Sequence, residues 1–273
     1  MSLTRATRSE LTKQFSTSLW WVLALVLVAW VGSTAAGLAA VFAAGASGAL
    51  GDAAQGPQLP AELIPPMVYS LATAVGYVFP LLIGALLVTG EFRHQTLTPT
   101  FLATPRRGVA LGGKIVAGIV VGLLFALVAL VSTVVPGAGI LAAFGVDTQL
   151  QDADTWAMVG RMVIAFPLWV LIGIGVGTLV RSQVGAVVGV IAFTQFIEPI
   201  LRVVAGLVDG LDAVTQYLPG AASDALAGAS IYTGMVGGET QSLEWWAGGL
   251  VLLAYAVVFL GLGHLLSWRR DVS

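Results

Sequence analysis

The stretch "RRGVALGGKIVAGIVVGLLFALVALVSTVV", residues 106–135, supports two incompatible folds. Gly108, Gly113 and Lys114 stand at the spacing of a nucleotide-binding P-loop, G-x-x-x-x-G-K-[ST], which would make the chain a soluble nucleotide-binding domain. From Ile115 onward, however, the residues are almost unbroken Val, Leu, Ile, Ala and Gly, as in a helix that crosses a bilayer. A P-loop places successive backbone N–H groups between a strand and a helix, and its final hydroxyl coordinates magnesium. Here Ile115 occupies the hydroxyl position and no strand-like run precedes the glycines. The match is accidental, and the stretch reads as a membrane span with Lys114 at its inner end, within reach of lipid phosphates.

Composition extends this reading to the whole chain. Of 273 residues, 58% are hydrophobic and only 10% charged, too apolar for a surface facing water. The net charge of −2 says little, because in a membrane chain the placement of charges matters more than their sum. The absence of cysteine excludes disulfides and thiolate metal sites. His94 and His264 are isolated, with no second ligand at i+3 or i+4, so no metal centre is expected.

Six apolar runs are each long enough to cross about 30 Å of hydrocarbon. They lie near Trp20–Ala44, Met67–Gly90, Val109–Gly145, Ala157–Val180, Val184–Val208 and Trp246–Trp268. The fold class is therefore all-α, a single polytopic domain over residues 1–273. The third run is overlong, and Pro136 with Gly137 predicts either a kink or an early end followed by an external segment. Pro199 predicts a bend or early end in the fifth, with residues 209–232 forming re-entrant or surface helices.

Basic residues orient the chain. Arg5, Arg8 and Lys13 precede the first run; Arg93, Arg106, Arg107 and Lys114 lie between runs two and three; Arg181 separates four from five; Arg269 and Arg270 follow the last. The other three connections have acidic residues but no Lys or Arg. The positive-inside rule puts both termini in the cytoplasm. Trp20, Trp21, Trp156, Trp245, Trp246 and Trp268 fall at run ends, where an indole suits the headgroup layer.

The first run is too long for a secretory h-region and reads as an uncleaved span. Ahead of it, Leu3, Thr7, Leu11 and Phe15 recur every four residues. This stripe predicts an amphipathic helix on the membrane surface within residues 1–18; a frayed basic tail is the alternative. "GASG", residues 45–48, matches the Gly-x-Ser-Gly motif of rhomboid proteases, with His264 as a formal partner. The topology puts Ser47 and His264 at opposite membrane faces, which denies them the hydrogen bond a dyad requires.

Within the spans, Glu198 and Arg202 are four residues apart and share a helix face in the outer half of run five. Arg161, near the outer end of run four, reaches a similar depth. An intramembrane cluster of Glu198 with Arg202 or Arg161 is expected, as a structural lock or in a transport path. Gly118 and Gly122, Gly173 and Gly177, and Gly185 and Gly189 are each four apart, marking faces where helices approach closely.

The connection "GEFRHQTLTPTFLATPRR", residues 90–107, resembles the signature between the second and third helices of ABC-2-type transporter permeases, especially six-helix bacterial exporter subunits. "QYLPGAASDAL", residues 216–226, the six-run layout and the amphipathic N-terminus resemble the same family. The resemblance implies a coupling helix within residues 91–107 that docks into a groove of a separate ATP-binding subunit, with Glu91, Phe92, Arg93 and Thr96 at the contact. It implies two permease chains, identical or related, working with two ATPase chains in a bacterial plasma membrane, and an external segment at residues 209–245. ATP and magnesium would be held by the partner, leaving this chain without a catalytic site or cofactor, and no nucleic acid is expected. An ion-gradient-driven secondary transporter is the alternative; no paired discontinuous helices are apparent in the sequence to favour it.

Overall fold

The computed structural model describes residues 2–48, 60–96, 106–205, 207–208, 210–231 and 243–268, and among these every regular element is helical. Helix α1 (Leu3–Ser16) starts where the Ser2 hydroxyl accepts from the Arg5 amide, and it ends at the extended Thr17. The six spans follow. The first is α2 (Leu19–Ala46); the second comprises α3 (Ile64–Ala74) and α4 (Val78–Arg93); the third is α5 (Arg107–Ala143) and the fourth α6 (Ala153–Leu179). The fifth comprises α7 (Gln183–Ala192), a π turn at Phe193–Ile197 and α8 (Glu198–Ala205). Two short helices, α9 (Asp212–Thr215) and α10 (Pro219–Ala227), precede the sixth span, α11 (Trp245–Gly263). Six helices are thus long and apolar enough to cross a membrane, and the chain is a polytopic membrane protein.

Helix α5 passes through Pro136 without ending. Its 37 residues measure about 55 Å, well over the hydrocarbon thickness, so it tilts or projects beyond it. Span two shows the opposite behaviour and is interrupted at Val75–Tyr77. Pro80 has no N–H to offer the Gly76 carbonyl, and its ring would crowd that carbonyl in a continuous helix. The Gly76 oxygen instead accepts from the Phe79 amide at 3.2 Å. A side chain at Gly76 would collide with the Ala72 carbonyl, so the break requires glycine.

Span two is the most enclosed of the six, whereas spans one, five and six keep most of their apolar surface outward. Small residues bring the inner helices together. Gly84 on α4 lies on the Val170 backbone of α6, and Gly173 and Gly177 on α6 lie on Leu81 and Ala85 of α4. Gly118 and Gly122 of α5 face Val170, Ile174 and Pro167 of α6. The third expected pair differs: Gly189 has open space beside it and Gly185 meets only residues of its own segment.

Successive spans run in opposite directions, giving the bundle a basic and an acidic end. At the basic end Arg93 Nη1 donates to Gln183 Oε1 at 3.3 Å, and Gly263 abuts Thr178. At the acidic end the Tyr69 hydroxyl donates to the Thr148 carbonyl at 2.8 Å and Gln149 Nε2 to the Glu62 carbonyl at 2.9 Å. Ser47 closes α2 at the acidic end and His264 follows α11 at the basic end, so the two are far apart. The P-loop-like glycines lie inside α5.

Candidate functional site

Two groups of buried charge stand out, one at each end of the bundle. At the basic end, Glu10 and Lys13 of α1, Glu91 of α4 and Lys114 of α5 close into a ring. Glu10 Oε1 is 2.8 Å from Lys13 Nζ and Glu10 Oε2 is 2.7 Å from Lys114 Nζ. Glu91 repeats the pattern, with Oε1 2.8 Å from Lys13 and Oε2 2.9 Å from Lys114. Each carboxylate spans both ammoniums, so two positive and two negative charges neutralise one another. The Lys114 ammonium, whose residue is fully buried, also donates to the Leu87 carbonyl at 3.3 Å.

Local structure explains the ring. Gly113 faces Ala6, where a Cβ would come within 2.9 Å of the Ala6 methyl, so α1 can lie directly against α5. Ala6, Glu10 and Gln14 form the buried face of α1. The sequence stripe Leu3, Thr7, Leu11 and Phe15 is not that face: Leu3 and Phe15 remain exposed while Leu11 packs at its margin. Burial works against the Glu10 charge, but the Lys114 ammonium, with Lys13, outweighs it and holds the carboxyl below its ordinary value. Burial likewise opposes the Lys13 charge, yet its hydrogen bonds to Glu10 and Glu91 hold it above the ordinary lysine value.

The ring corrects two expectations. Lys114 does not reach toward lipid phosphates; it is sealed inside the protein because two carboxylates and a carbonyl compensate its desolvation. Glu91 is only 7% exposed and engaged inward, so it anchors the following segment and does not belong to its outer face. Phe92 is half-buried against the core, whereas Arg93 and Thr96 are exposed. The Thr96 amide donates to the Glu91 carbonyl at 3.0 Å, and Gln95 takes a positive φ of 54° to turn the chain. The rest of the expected coupling helix, residues 97–105, lies outside the described residues.

The acidic-end group is built around α10. Glu198 Oε1 accepts from the Gly220 amide at 2.6 Å and the Ala221 amide at 3.1 Å, so a carboxylate occupies the N-terminus of α10. Any side chain at Gly220 would overlap that carboxylate. At the other end of α10, Gly228 (φ 87°) lies against the Arg161 guanidinium, which also faces the Trp245 ring at 5.9 Å. Glu198 and Arg161 thus bracket the helix with charges that oppose its dipole and do not pair with each other. Arg202 pairs with Asp224 of α10 at 2.5 Å, and Ser230 donates to the same Asp224 oxygen at 2.8 Å. The expected pairing of Glu198 with Arg202 or Arg161 is not found as a direct ion pair among the described residues: each of the three meets α10 separately, and the carboxylate that takes Arg202 is Asp224, which sequence spacing did not supply. Among the described parts of the 209–245 segment, α10 is not a surface helix: Pro219, Gly220, Ala222, Ser223, Asp224, Leu226 and Ala227 are buried.

Between these groups, the break in span two meets the π turn in span five. The amide of Glu198 bonds the Phe193 carbonyl, a five-residue step. The next such step would pair the Thr194 carbonyl with residue 199, which is proline and has no N–H. Tyr77 fills the gap, its hydroxyl donating to the Thr194 carbonyl at 3.0 Å. The Tyr77 ring stacks on Trp169 at 4.4 Å, and Trp169 Nε1 donates to Ser223 Oγ of α10 at 3.1 Å. Spans two, four and five and α10 are joined by this chain of contacts.

No family model matches the chain, and no curated protein matches it either. Among the described residues, no three His, Asp or Glu side chains are grouped so as to hold a metal ion.

Proposed function

We propose that this protein is the membrane-spanning permease subunit of an ATP-driven ABC-2-type exporter. The observation that carries this reading is the Glu10–Lys13–Glu91–Lys114 ring. A segment that transmits force from a soluble motor must be joined stiffly to the helices it moves. Here the chain leaving α4 is tied by Glu91 to α1 and α5 at once. Phe92, Arg93 and Thr96 follow immediately and supply apolar, cationic and hydroxyl groups for a docking partner. In this reading the end rich in Lys and Arg, as the positive-inside rule favours, faces the cytoplasm of a bacterial cell, with α1 along the inner membrane surface and Leu3 and Phe15 turned to lipid.

In the mechanism, two copies of the ATP-binding subunit close on ATP, each pushing one 91–107 segment of a permease pair, homodimeric or heterodimeric. Displacement of Glu91 carries α1 and the inner halves of spans two and three with it. The inward and outward arrangements exchange in proportion to the difference in ATP affinity between them. Enclosure of span two between spans three and four makes it the element through which this displacement enters the bundle.

A secondary transporter driven by an ion gradient is the second reading, favoured by a specific observation. Span two is broken at Val75–Tyr77 and span five changes to a π turn at Phe193–Ile197, and the two irregularities meet at Tyr77 and Thr194. Paired discontinuous helices are the mark of many ion-coupled carriers. Affinity purification of the tagged chain from its native membranes separates the two. Recovery of an ATP-binding protein whose retention is lost in Arg93→Glu, with the thermal midpoint unchanged, supports the exporter. Recovery of the chain without an ATPase, or labelling of Thr96→Cys only from outside the cell, overturns it.

A further inference from the structure

We propose that Glu198 is a proton-binding site whose occupancy latches and releases helix α10 at the acidic end of the bundle. The inference does not rest on the exporter reading. Glu198 is 1% exposed, and one oxygen takes both amides of the α10 N-terminus. Its other oxygen, Oε2, has no hydrogen-bond partner among the described residues. Asp224, 3% exposed and two turns into α10 at most, likewise has an unpartnered oxygen, Oδ1. One buried carboxylate at the start of α10 and a second within it thus each have an unfilled acceptor position.

The balance of charges makes the proton a fitting ligand. The groups facing Glu198 are Arg202, one turn along on its own helix; Asp224 on α10; and Tyr255 on α11, whose hydroxyl donates to the Tyr217 carbonyl at 3.2 Å. Helix α3 contributes no charged residue, and Asp212 of α9 accepts from the Ala213 amide. Arg161 of α6 sits at the far end of α10. Arg202, although engaged by Asp224 and Ser230, still favours the Glu198 carboxylate through its charge, and the two α10 amides add direct hydrogen bonds to it. An ionised Glu198 therefore holds α10 down through charge-assisted hydrogen bonds. Proton uptake at Oε2 removes the charge and weakens both bonds, while lowering the cost of burying a carboxylate with an unfilled acceptor. Release of α10 would also free Ser223 from Trp169, carrying the event to the Tyr77–Thr194 contact.

The absence of native cysteine permits a direct test. Ser223→Cys is nearly isosteric at a fully buried position, and Ser47→Cys places an exposed reference thiol at the same end. The reaction rate of the thiol at position 223 with a small methanethiosulfonate, divided by that of the reference thiol at position 47, is measured on the full chain in lipid nanodiscs from about pH 9 to about pH 5, across which buried carboxyls titrate. The ratio is expected to rise about tenfold or more toward acid, the factor lost with one charge-assisted hydrogen bond. In the Glu198→Gln background it should be high and independent of pH, and in Asp224→Asn its pH dependence should persist. A ratio that stays flat in the otherwise native chain, or a pH dependence unchanged by Glu198→Gln, overturns the proposal. Should Glu198→Gln fail to fold, the single-thiol titrations alone decide, because a flat ratio there is already a refutation.

Discussion

Lys114 Nζ lies 2.7 Å from Glu10 Oε2, although the two residues are 104 positions apart and sit on a span and on the helix that precedes all the spans. This contact fastens α1 to the bundle. It also turns what looks like a phosphate-binding lysine into a buried structural ion, so that the local motif and the three-dimensional role have nothing in common.

The ring is unequal in its burial, and this yields a graded prediction. Lys114→Met leaves Glu10 and Glu91 facing each other inside the protein with only Lys13 between them, and should cost about 3–5 kcal/mol. Lys13 is 44% exposed on its side chain, so solvent screens its loss, and Lys13→Met should cost at most about 1 kcal/mol. Thermal unfolding in one detergent measures both. Equal midpoints for the two variants would contradict the ring as described.

Stability should depend on pH at both extremes through α1. The Glu10 carboxyl is held below its ordinary value of 4.5, so its contribution is complete above 4.5 and is lost as pH falls through the folded value. The Lys13 ammonium is held above 10.5, so its contribution is complete below 10.5 and is lost as pH rises through its folded value. Between these limits the two groups contribute a constant amount. Glu10→Gln should abolish the Glu10 part of the acid limb of a plot of unfolding midpoint against pH and also shrink its alkaline limb, because Glu10 is one of the two carboxylates that hold the Lys13 ammonium.

Glycine substitutions should divide by what each faces. A methyl at Gly122 would come within 2.7 Å of the Pro167 backbone, which cannot yield, so Gly122→Ala should destabilise by about 1–3 kcal/mol. Gly189→Ala meets open space in a helix and should be neutral or stabilising by up to about 1 kcal/mol. Comparing the two unfolding midpoints separates packing glycines from permissive ones. A neutral Gly122→Ala would mean that spans three and four lie farther apart than described.

Tyr77→Phe keeps the stack on Trp169 but strands the Thr194 carbonyl, which Pro199 cannot serve. The expected loss is about 1–3 kcal/mol, the cost of a buried acceptor left without a donor. Hydrogen exchange at the amides of residues 193–198 should accelerate in the variant, and unchanged exchange would remove Tyr77 as the prop of the π turn.

Much of the architecture is legible along the chain. The six runs predicted from apolar length overlap the six observed spans, because bilayer thickness imposes a length that no tertiary contact can alter. The alternation of basic and acidic connections matches the two ends of the bundle for the same reason of locality. The interruption of span two is less visible, although Gly76 and Pro80 are its signal: one permits the close approach, the other withholds an N–H. The ring is not legible. Glu10, Lys13 and Lys114 are ordinary interfacial charges in one dimension, and nothing in their spacing says that Gly113 lets α1 settle onto α5.

Hydropathy and charge, summed over short windows of residues, are enough to establish an all-helical protein with six helices long and apolar enough to cross a membrane, and to say which helix ends share a face. No such window reveals that Glu91 and Lys114 turn inward, that Glu198 and Arg161 bracket α10, or that Asp224 takes Arg202; these came from packing. A charge enters a low-dielectric interior only where partners from distant segments meet it at hydrogen-bond distance, and chain positions tens of residues apart carry no local mark of that meeting.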